Sequence, residues 1–438
     1  LIILDEPYVS QILRDTIVEM NLPVLKNETS ERLGFGKKIN LLEDTEFIEL
    51  LKTQNSHKIY SNSENSLVWI ANNLGFTGIP EKIGLFKDKL RFRELMGHIY
   101  PDFSYRGVDF ASLDELDIES VKKPFIIKPA VGFFSAGVYR VSTGEEWEKV
   151  LPALKQEMEA IKDLFPPQVF NSGKFVLEDH IEGPELAVDA YYNSEGKPVV
   201  LNILEHLFPS EDDVEDKVYT TSKKTIETYL EAVTKLLCEI NEVAKLWDSE
   251  IRDYEIRDSG LWDYEIQDSE IRDYELPDVQ RQGLRDFPLH IELRVDKMDR
   301  LVPIEVNPIR FAGWCTTDIA YYAYGINVHR YFCEGLEPDW VEILKDRERE
   351  GRTCCLLIAK KPDDVETEDI EAFDYEGLLS RFEKPLELRK LDYRQYPVFA
   401  FLFTETGDSS WGEIERYLRS DLKEFIRIRT EQERQSGE

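Results

Sequence analysis

The stretch HIELRVDKMDRLVPIEVNP, His290 to Pro308, carries two acids, an amide and an imidazole at spacings that bring them together if the chain folds back on itself. Folding about the point between Met298 and Asp299 sets Glu292 opposite Glu305 and His290 opposite Asn307. Side chains alternate along a strand, so all four then share one face. Carboxylates directly opposite each other weaken a sheet. At about 5 Å and an effective dielectric of about 20 they repel by roughly 3 kcal/mol. A hard divalent cation turns that repulsion into attraction, and magnesium takes one or two carboxylates together with phosphate oxygens and water. The competing reading is an exposed hairpin whose acids face water or pair with Arg294 or Lys297.

Two further segments bear chemistry. In FIIKPAVGFFSAGV an apolar strand ends at Lys128, a loop runs from Gly132 to Gly137 through Ser135, and a strand resumes at Val138. Glycine lets backbone approach a ligand, successive N–H groups cradle phosphate oxygens, and a lysine adds a point charge. The alternative is a plain hairpin. In FVLEDHIEGPELAVDAYY a strand ends in an acid, Glu178, and Glu185 opens the next strand after a short turn. Ionised carboxylates only accept, which suits an amino group or sugar hydroxyls; solvated hairpin acids are the alternative. GFGKK, Gly34 to Lys38, lacks phosphate-loop spacing and reads as an ordinary loop.

The elements that must hold these segments follow from periodicity. LIILDEPYVSQILRDTIVEMNLPVL reads as strand, amphipathic helix and strand, an α/β opening. Helices are expected from Asp88, from about Gly144 to Leu164, and from about Lys223 to Trp247. Beyond residue 335, CCLLIAKK and PVFAFLF read as strands and WGEIERYLRSDLKEFI as a helix, a small α+β module. The loop TETGDSSWGE in that module is expected near the site. Between residues 248 and 277 stand three near-identical decads, DSEIRDYEIR, DSGLWDYEIQ and DSEIRDYELP, with 11 acids and 3 bases, a net of 3 − 11 = −8. A ten-residue period suits neither helix nor strand, and three short units make a poor solenoid. The decads read as an insertion in a surface loop, where added length costs little.

The whole chain, 438 residues, has 54 Lys and Arg against 87 Asp and Glu, hence −33. That balance argues against nucleic acid or an anionic membrane as partner. Five cysteines without metal-ligand spacing fit reduced thiols, no apolar run reaches the length of a membrane span, and no charged-then-apolar leader opens the chain. A cytoplasmic protein is expected. Cys315, in FAGWCTT, has no partner histidine indicated by sequence and is read as a packing residue. The run YYAYG reads as helix packing.

In order and together, these segments resemble the ATP-grasp superfamily, and in particular its carboxylate–amine ligases of the D-alanine–D-alanine ligase and L-amino acid ligase types. The resemblance covers roughly residues 1–335. It implies an α/β domain over 1–88, a two-subdomain ATP-grasp core over 89–335 with a phosphate-covering flap at about 124–140, and a C-terminal module over 336–438. By the same resemblance Lys89 and Lys128 bind ATP, with Gly132, Ser135 and Gly137 in the flap. Glu178 accepts from the adenine amino group, the backbone near Asp179 to Ile181 bonds the ring, and Glu185 binds ribose. Glu292, Glu305 and Asn307 hold one or two Mg2+ ions, or Mn2+. The family pattern puts arginine directly after Asn-Pro, whereas NPIR carries one extra residue, so Arg310 stands one step late. Arg310 and His290, where D-alanine ligases have arginine, are the candidates for steadying the transferred phosphate or a substrate carboxylate. The implied activity joins a small carboxylate and an amine through an acyl phosphate, releasing ADP and phosphate. A small-molecule kinase and a nucleotide-binding regulator are the alternatives, and a homodimer is one possible assembly.

Overall fold

The computed structural model describes residues 1–34, 39–54, 57–132, 136–161, 171–209, 216–250 and 283–429. Within them, Ser10 starts the first helix, Gln11–Met20, by accepting the Leu13 N–H, and Leu13 and Ile17 are buried one turn apart on its inner face. That helix links the parallel strands β1 (Ile2–Ile3) and β2 (Pro23–Leu25), which with β3 (Asn40–Leu42) and β4 (Tyr60–Ser61) form a four-stranded sheet in the order β3-β2-β1-β4. The expected α/β opening is present. Asp88 caps the helix Lys89–Gly97, its carboxylate accepting from the Leu90 and Arg91 N–H groups at 2.9 and 3.4 Å.

A second sheet holds the flap. It comprises β5 (Tyr105–Asp109), β6 (Phe125–Val131), β7 (Tyr139–Val141) and β8 (Asn171–Asp179) in the order β5-β8-β6-β7, all antiparallel. The helix Gly144–Ile161 packs Trp147, Leu154 and Met158 on its core with Phe125, Ile127 and Phe175.

The third sheet spans eight strands. From one edge they run β13 (Leu301–Pro308), β12 (Phe287–Val295), β9 (Glu185–Tyr192), β10 (Pro198–Leu207), β11 (Val218–Ser222), β14 (Arg352–Lys360), β17 (Val398–Gly407) and β16 (Pro385–Lys390). The sheet thus crosses the boundary expected at residue 335, because β14 fills the otherwise open edge of β11 over five paired positions. Only β15 (Ile370–Phe373), β18 (Ile426–Ile428) and the helices Tyr375–Leu379 and Gly412–Leu418 form a separate small layer on it. The expected C-terminal helix stops at Leu418, and Asp421 starts a new short turn at Leu422–Phe425.

Asp318 joins all three parts. Fully buried, it accepts from the Ser10 hydroxyl at 3.2 Å and pairs with Arg389 of β16.

The long helix Lys223–Glu250 leads to the decads, which from residue 251 lie outside the described residues. The chain is described again at Gly283, against the same helix. Asn241 accepts the Leu284 N–H at 2.7 Å, and a Cβ on Gly283, at φ +64°, would fall 2.6 Å from Asn241 Oδ1 and Lys245 Cγ. Departure and return therefore lie side by side. Deleting residues 248–277 is expected to leave activity unchanged and the melting temperature within about 2 °C by calorimetry, since a change in loop length alters closure entropy by only tenths of a kcal/mol. Loss of soluble protein would refute the insertion reading.

Candidate active site

The β12–β13 hairpin folds in the expected register: Glu292 pairs with Glu305 and His290 with Asn307. Asp296 builds the turn. Its carboxylate accepts from the Met298 and Arg300 N–H groups at 2.8 and 2.9 Å, while Asp299 takes a left-handed conformation. The four site residues line one cavity of about 730 Å3, bounded also by Lys89, Lys128 and the 62–65 segment of the N-terminal domain.

Two environments separate the facing acids. Glu305 lies 3.4 Å from Lys89 Nζ. Burial pushes its carboxyl up, but Lys89, Lys87 and Lys128 outweigh that and hold it below the ordinary range. Glu292 has no such partner, and burial, Glu305, Glu185 and Asp216 together push its carboxyl well up. Two residues beyond Glu305, Asn307 Oδ1 is buried without a hydrogen-bond partner. A buried acceptor left unpaired costs about 1–3 kcal/mol. An orphaned oxygen beside a carboxylate whose charge is resisted is a donor set that fits a hard cation. Among the described residues no group of three or more His, Cys, Asp or Glu forms a metal cage by itself, so phosphate oxygens and water would have to complete the shell.

Lys128 is held by a different acid. Glu178, at the end of β8, is buried, with Lys128 Nζ 2.7 Å from one oxygen and Arg93 Nε 2.6 Å from the other. Burial opposes its charge, yet Arg93 and Lys128 hold its carboxyl at about 2. Each oxygen of Glu178, expected to face an adenine amino group, here serves one of the two cations. Asp179, in the stretch whose backbone is expected to bond the adenine ring, also has partners of its own. Its N–H goes to Ser104 O at 2.9 Å and its carboxylate takes Lys122 and the Ser104 N–H, away from the cavity. Ile181 does line the cavity. Glu185 lines it too, but already accepts from Arg294 at 2.8 Å and meets His206 Nδ1 at 2.9 Å.

In the flap, Gly132 lies in the cavity wall and its carbonyl accepts from Lys89 at 3.3 Å. Gly137, expected in the phosphate-covering loop, is tied to the helix behind it. Its N–H donates to Glu157 at 3.0 Å, and at φ +71° a Cβ would lie 2.7 Å from Met158 Cε, so it seats the flap on the helix behind it. Ser135 lies outside the described residues.

The extra residue in NPIR has a visible consequence. Ile309 is buried at φ +65°, a region a β-branched residue seldom enters. Its N–H donates to Pro288 O at 2.8 Å and its carbonyl accepts from Ser61 at 2.9 Å. This bulge leaves Arg310 in the cavity wall, bonded through Nη2 to Glu64 at 2.7 Å, with Nε buried and unpartnered. Glu64 also pairs with Lys87; burial opposes its charge, but the two cations hold its carboxyl at about 2.

His290 is backed by Asp189, a fully buried residue of β9, with Nδ1 2.8 Å from Oδ1. The same oxygen accepts the Ala312 N–H at 2.8 Å. Arg93, Glu64 and Asp189 were all missed in the sequence. Arg93 stands four residues after Lys89, the helical same-face spacing, and Asp189 is an acid inside an apolar strand; Glu64 gave no signal. Cys315 is fully buried and burial drives its thiol well up, so it packs rather than reacts. All five cysteines are free, and no described helix is long and apolar enough to cross a membrane. Among the described residues lining the cavity only Ile358 lies beyond residue 335, and TETGDSSWGE is not in its wall.

A nucleotide-sized cleft between a flap sheet and a large sheet bearing facing acids is the architecture of the ATP-grasp fold. The chain carries an ATP-grasp domain: the family model of that description matches residues 121–259 and 269–318. No curated protein matches the chain in sequence. Among solved structures it is similar to an L-amino acid ligase from Bacillus licheniformis, at 17% identity over 98% of each chain with a TM-score of 0.62. It is also similar to an N5-carboxyaminoimidazole ribonucleotide synthetase from Thermotoga maritima, at 14% identity over 98% of this chain and 99% of that one, TM-score 0.59. A biotin carboxylase in a nucleotide complex from Campylobacter jejuni follows at 13% identity, 98% and 92% coverage, TM-score 0.54. At such identities the likeness is one of fold.

Proposed function

We propose that this protein is an ATP-dependent carboxylate–amine ligase, acting through an acyl phosphate and releasing ADP and phosphate. The observation that carries the proposal is the unpartnered Asn307 Oδ1 beside facing acids, in one cavity with two buried lysines and Arg310. Phosphoryl transfer is mostly positioning and neutralisation of oxygen charge. Lys89 and Lys128 supply fixed positive charge where the triphosphate lies. Glu292, Glu305 and Asn307 would hold Mg2+, which when bound neutralises phosphate oxygens. Arg310 has a spare N–H for a substrate carboxylate, and Glu64 orients its guanidinium. Strands β6 and β7, which wall the cavity, would help keep water from an intermediate that it would hydrolyse.

Incubation with ATP, Mg2+ and pooled amino acids tests this reading. Phosphate release that requires both a carboxylate and an amine supports the ligase. ADP formed without free phosphate would instead identify a kinase, and neither product a nucleotide-binding regulator. For Lys128→Ala, ATP affinity should fall at least about tenfold, as expected for loss of a charge-assisted phosphate contact of about 1.5–3 kcal/mol. Unchanged affinity by calorimetry would count against the flap assignment.

A further inference from the structure

The cavity wall is electrically divided. Among the described residues its lysines and arginines are Lys89, Lys128, Arg140, Arg294 and Arg310, all from the helix Lys89–Gly97, the flap sheet, or the β12–β13 hairpin and the turn after it. Where β10, β11, β14 and the residues flanking them continue the wall, it consists of His206, Phe208, Asp216, Tyr219 and Ile358. Lys217, next in the chain to Asp216, turns its ammonium instead to the carbonyls of Leu418 and Ser420, at 2.9 and 3.1 Å. This end is aromatic and acidic. His206 stacks on Tyr219 with ring centres 4.2 Å apart and meets Phe208 at 4.0 Å. The Tyr219 hydroxyl donates to Asp216 at 2.7 Å. His206 Nδ1 faces Glu185 at 2.9 Å; a carboxylate only accepts, so Nδ1 is the donor there and Nε2 of the neutral ring is left an acceptor. That Nε2 is buried with no hydrogen-bond partner, 3.4 Å from Asp216 Oδ1. Burial, with Asp216 and Glu292, pushes the Tyr219 hydroxyl well up, a sign of the negative field that the acids add. Trp314, four residues after Arg310, packs with Tyr219 against the apolar cluster that contains Ile358, so this end adjoins the loop that begins at Arg310.

We propose that this end of the cavity binds the side-chain cation of a basic amino acid whose carboxylate lies toward Arg310, and so makes the protein selective for a basic substrate. The proposal rests on the ligase reading above and names the substrate class of that same site. Aromatic faces attract ammonium and guanidinium groups, as those of Phe208 and Tyr219 would here. A carboxylate accepts their hydrogens in charge-assisted bonds, the part of Asp216, and His206 Nε2 takes a further N–H. An anionic side chain would meet Asp216 and no lysine or arginine at this end.

Phosphate release with ATP, Mg2+ and the amino-acid pool is measured with L-lysine, L-ornithine and L-arginine present and then withheld. Withholding all three should lower release at least about tenfold, and adding one of them back should restore it. For that amino acid, Asp216→Asn should raise KM at least about tenfold, the scale for losing a charge-assisted hydrogen bond. The KM for ATP should stay within about threefold of wild type, which separates a substrate contact from one to the ribose expected at neighbouring Glu185. The Asp216 side chain is 63% exposed, so the change should leave the melting temperature where it is. Release indifferent to the basic amino acids would overturn the assignment while leaving the ligase reading intact. So would an Asp216→Asn enzyme whose KM for the basic amino acid is unchanged, or whose KM for ATP rises in step with it. A wild-type protein that releases no phosphate with the complete pool would remove the ligase reading, and this one with it.

Discussion

Replacing Glu305 by Gln is expected to lower ATP-dependent turnover by about 10²–10³, the scale for losing one preorganised electrostatic group. Glu305 is the acid that Lys89 keeps ionised, at 3.4 Å, so its charge is present before nucleotide arrives. The amide keeps the shape and removes the charge, and the Mg2+ concentration for half-maximal rate should rise as well. A Mg2+ titration of ADP formation reads both effects; near-full activity in Glu305→Gln would falsify the cation assignment. Glu292→Gln should also lose activity but melt higher than wild type, because its charge is opposed by burial and by three neighbouring acids.

Glu178→Gln should destabilise the protein by about 3–5 kcal/mol, the range for removing one partner from a buried ion pair. The loss leaves Arg93 and Lys128 facing each other across an amide, both buried. The same residue sets an acid limb. Its carboxyl sits at about 2 in the folded protein and near the ordinary 4.5 when unfolded, so its contribution is complete above about pH 4.5. It is lost progressively as pH falls toward 2, because protons bind the unfolded chain first. At about 1.4 kcal/mol per unit the whole contribution is roughly 3 kcal/mol. Denaturant melts between pH 2 and 6 should show a steeper acid limb in wild type than in Glu178→Gln. Glu64 falls in the same window, so the variant's limb should flatten without vanishing.

Much of the site was legible because local rules set it. The β12–β13 register follows from alternation and a short turn, and Lys89 follows from the Asp88 cap. What escaped was decided by distant partners. Glu178 stands at the end of its strand as an adenine acceptor would, but Arg93, 85 residues earlier, claims one of its oxygens. Gly137 carries the mark of a phosphate loop, but its conformation answers to Met158. The sheet's continuation past residue 335 escaped for the same reason: which edge β14 joins depends on β11, and strand pairing across such a gap leaves no local trace.

That pairing also orders events during synthesis. β11 ends at Ser222 and its neighbour begins at Arg352, an interval of 129 residues that the decads lengthen by thirty. The acid-bearing hairpin can close as soon as it leaves the ribosome, while the sheet beside it still shows an unpaired margin to every other nascent chain. Chaperone demand should therefore track the time needed to translate residues 223–351, and slowing translation there should raise the aggregated fraction.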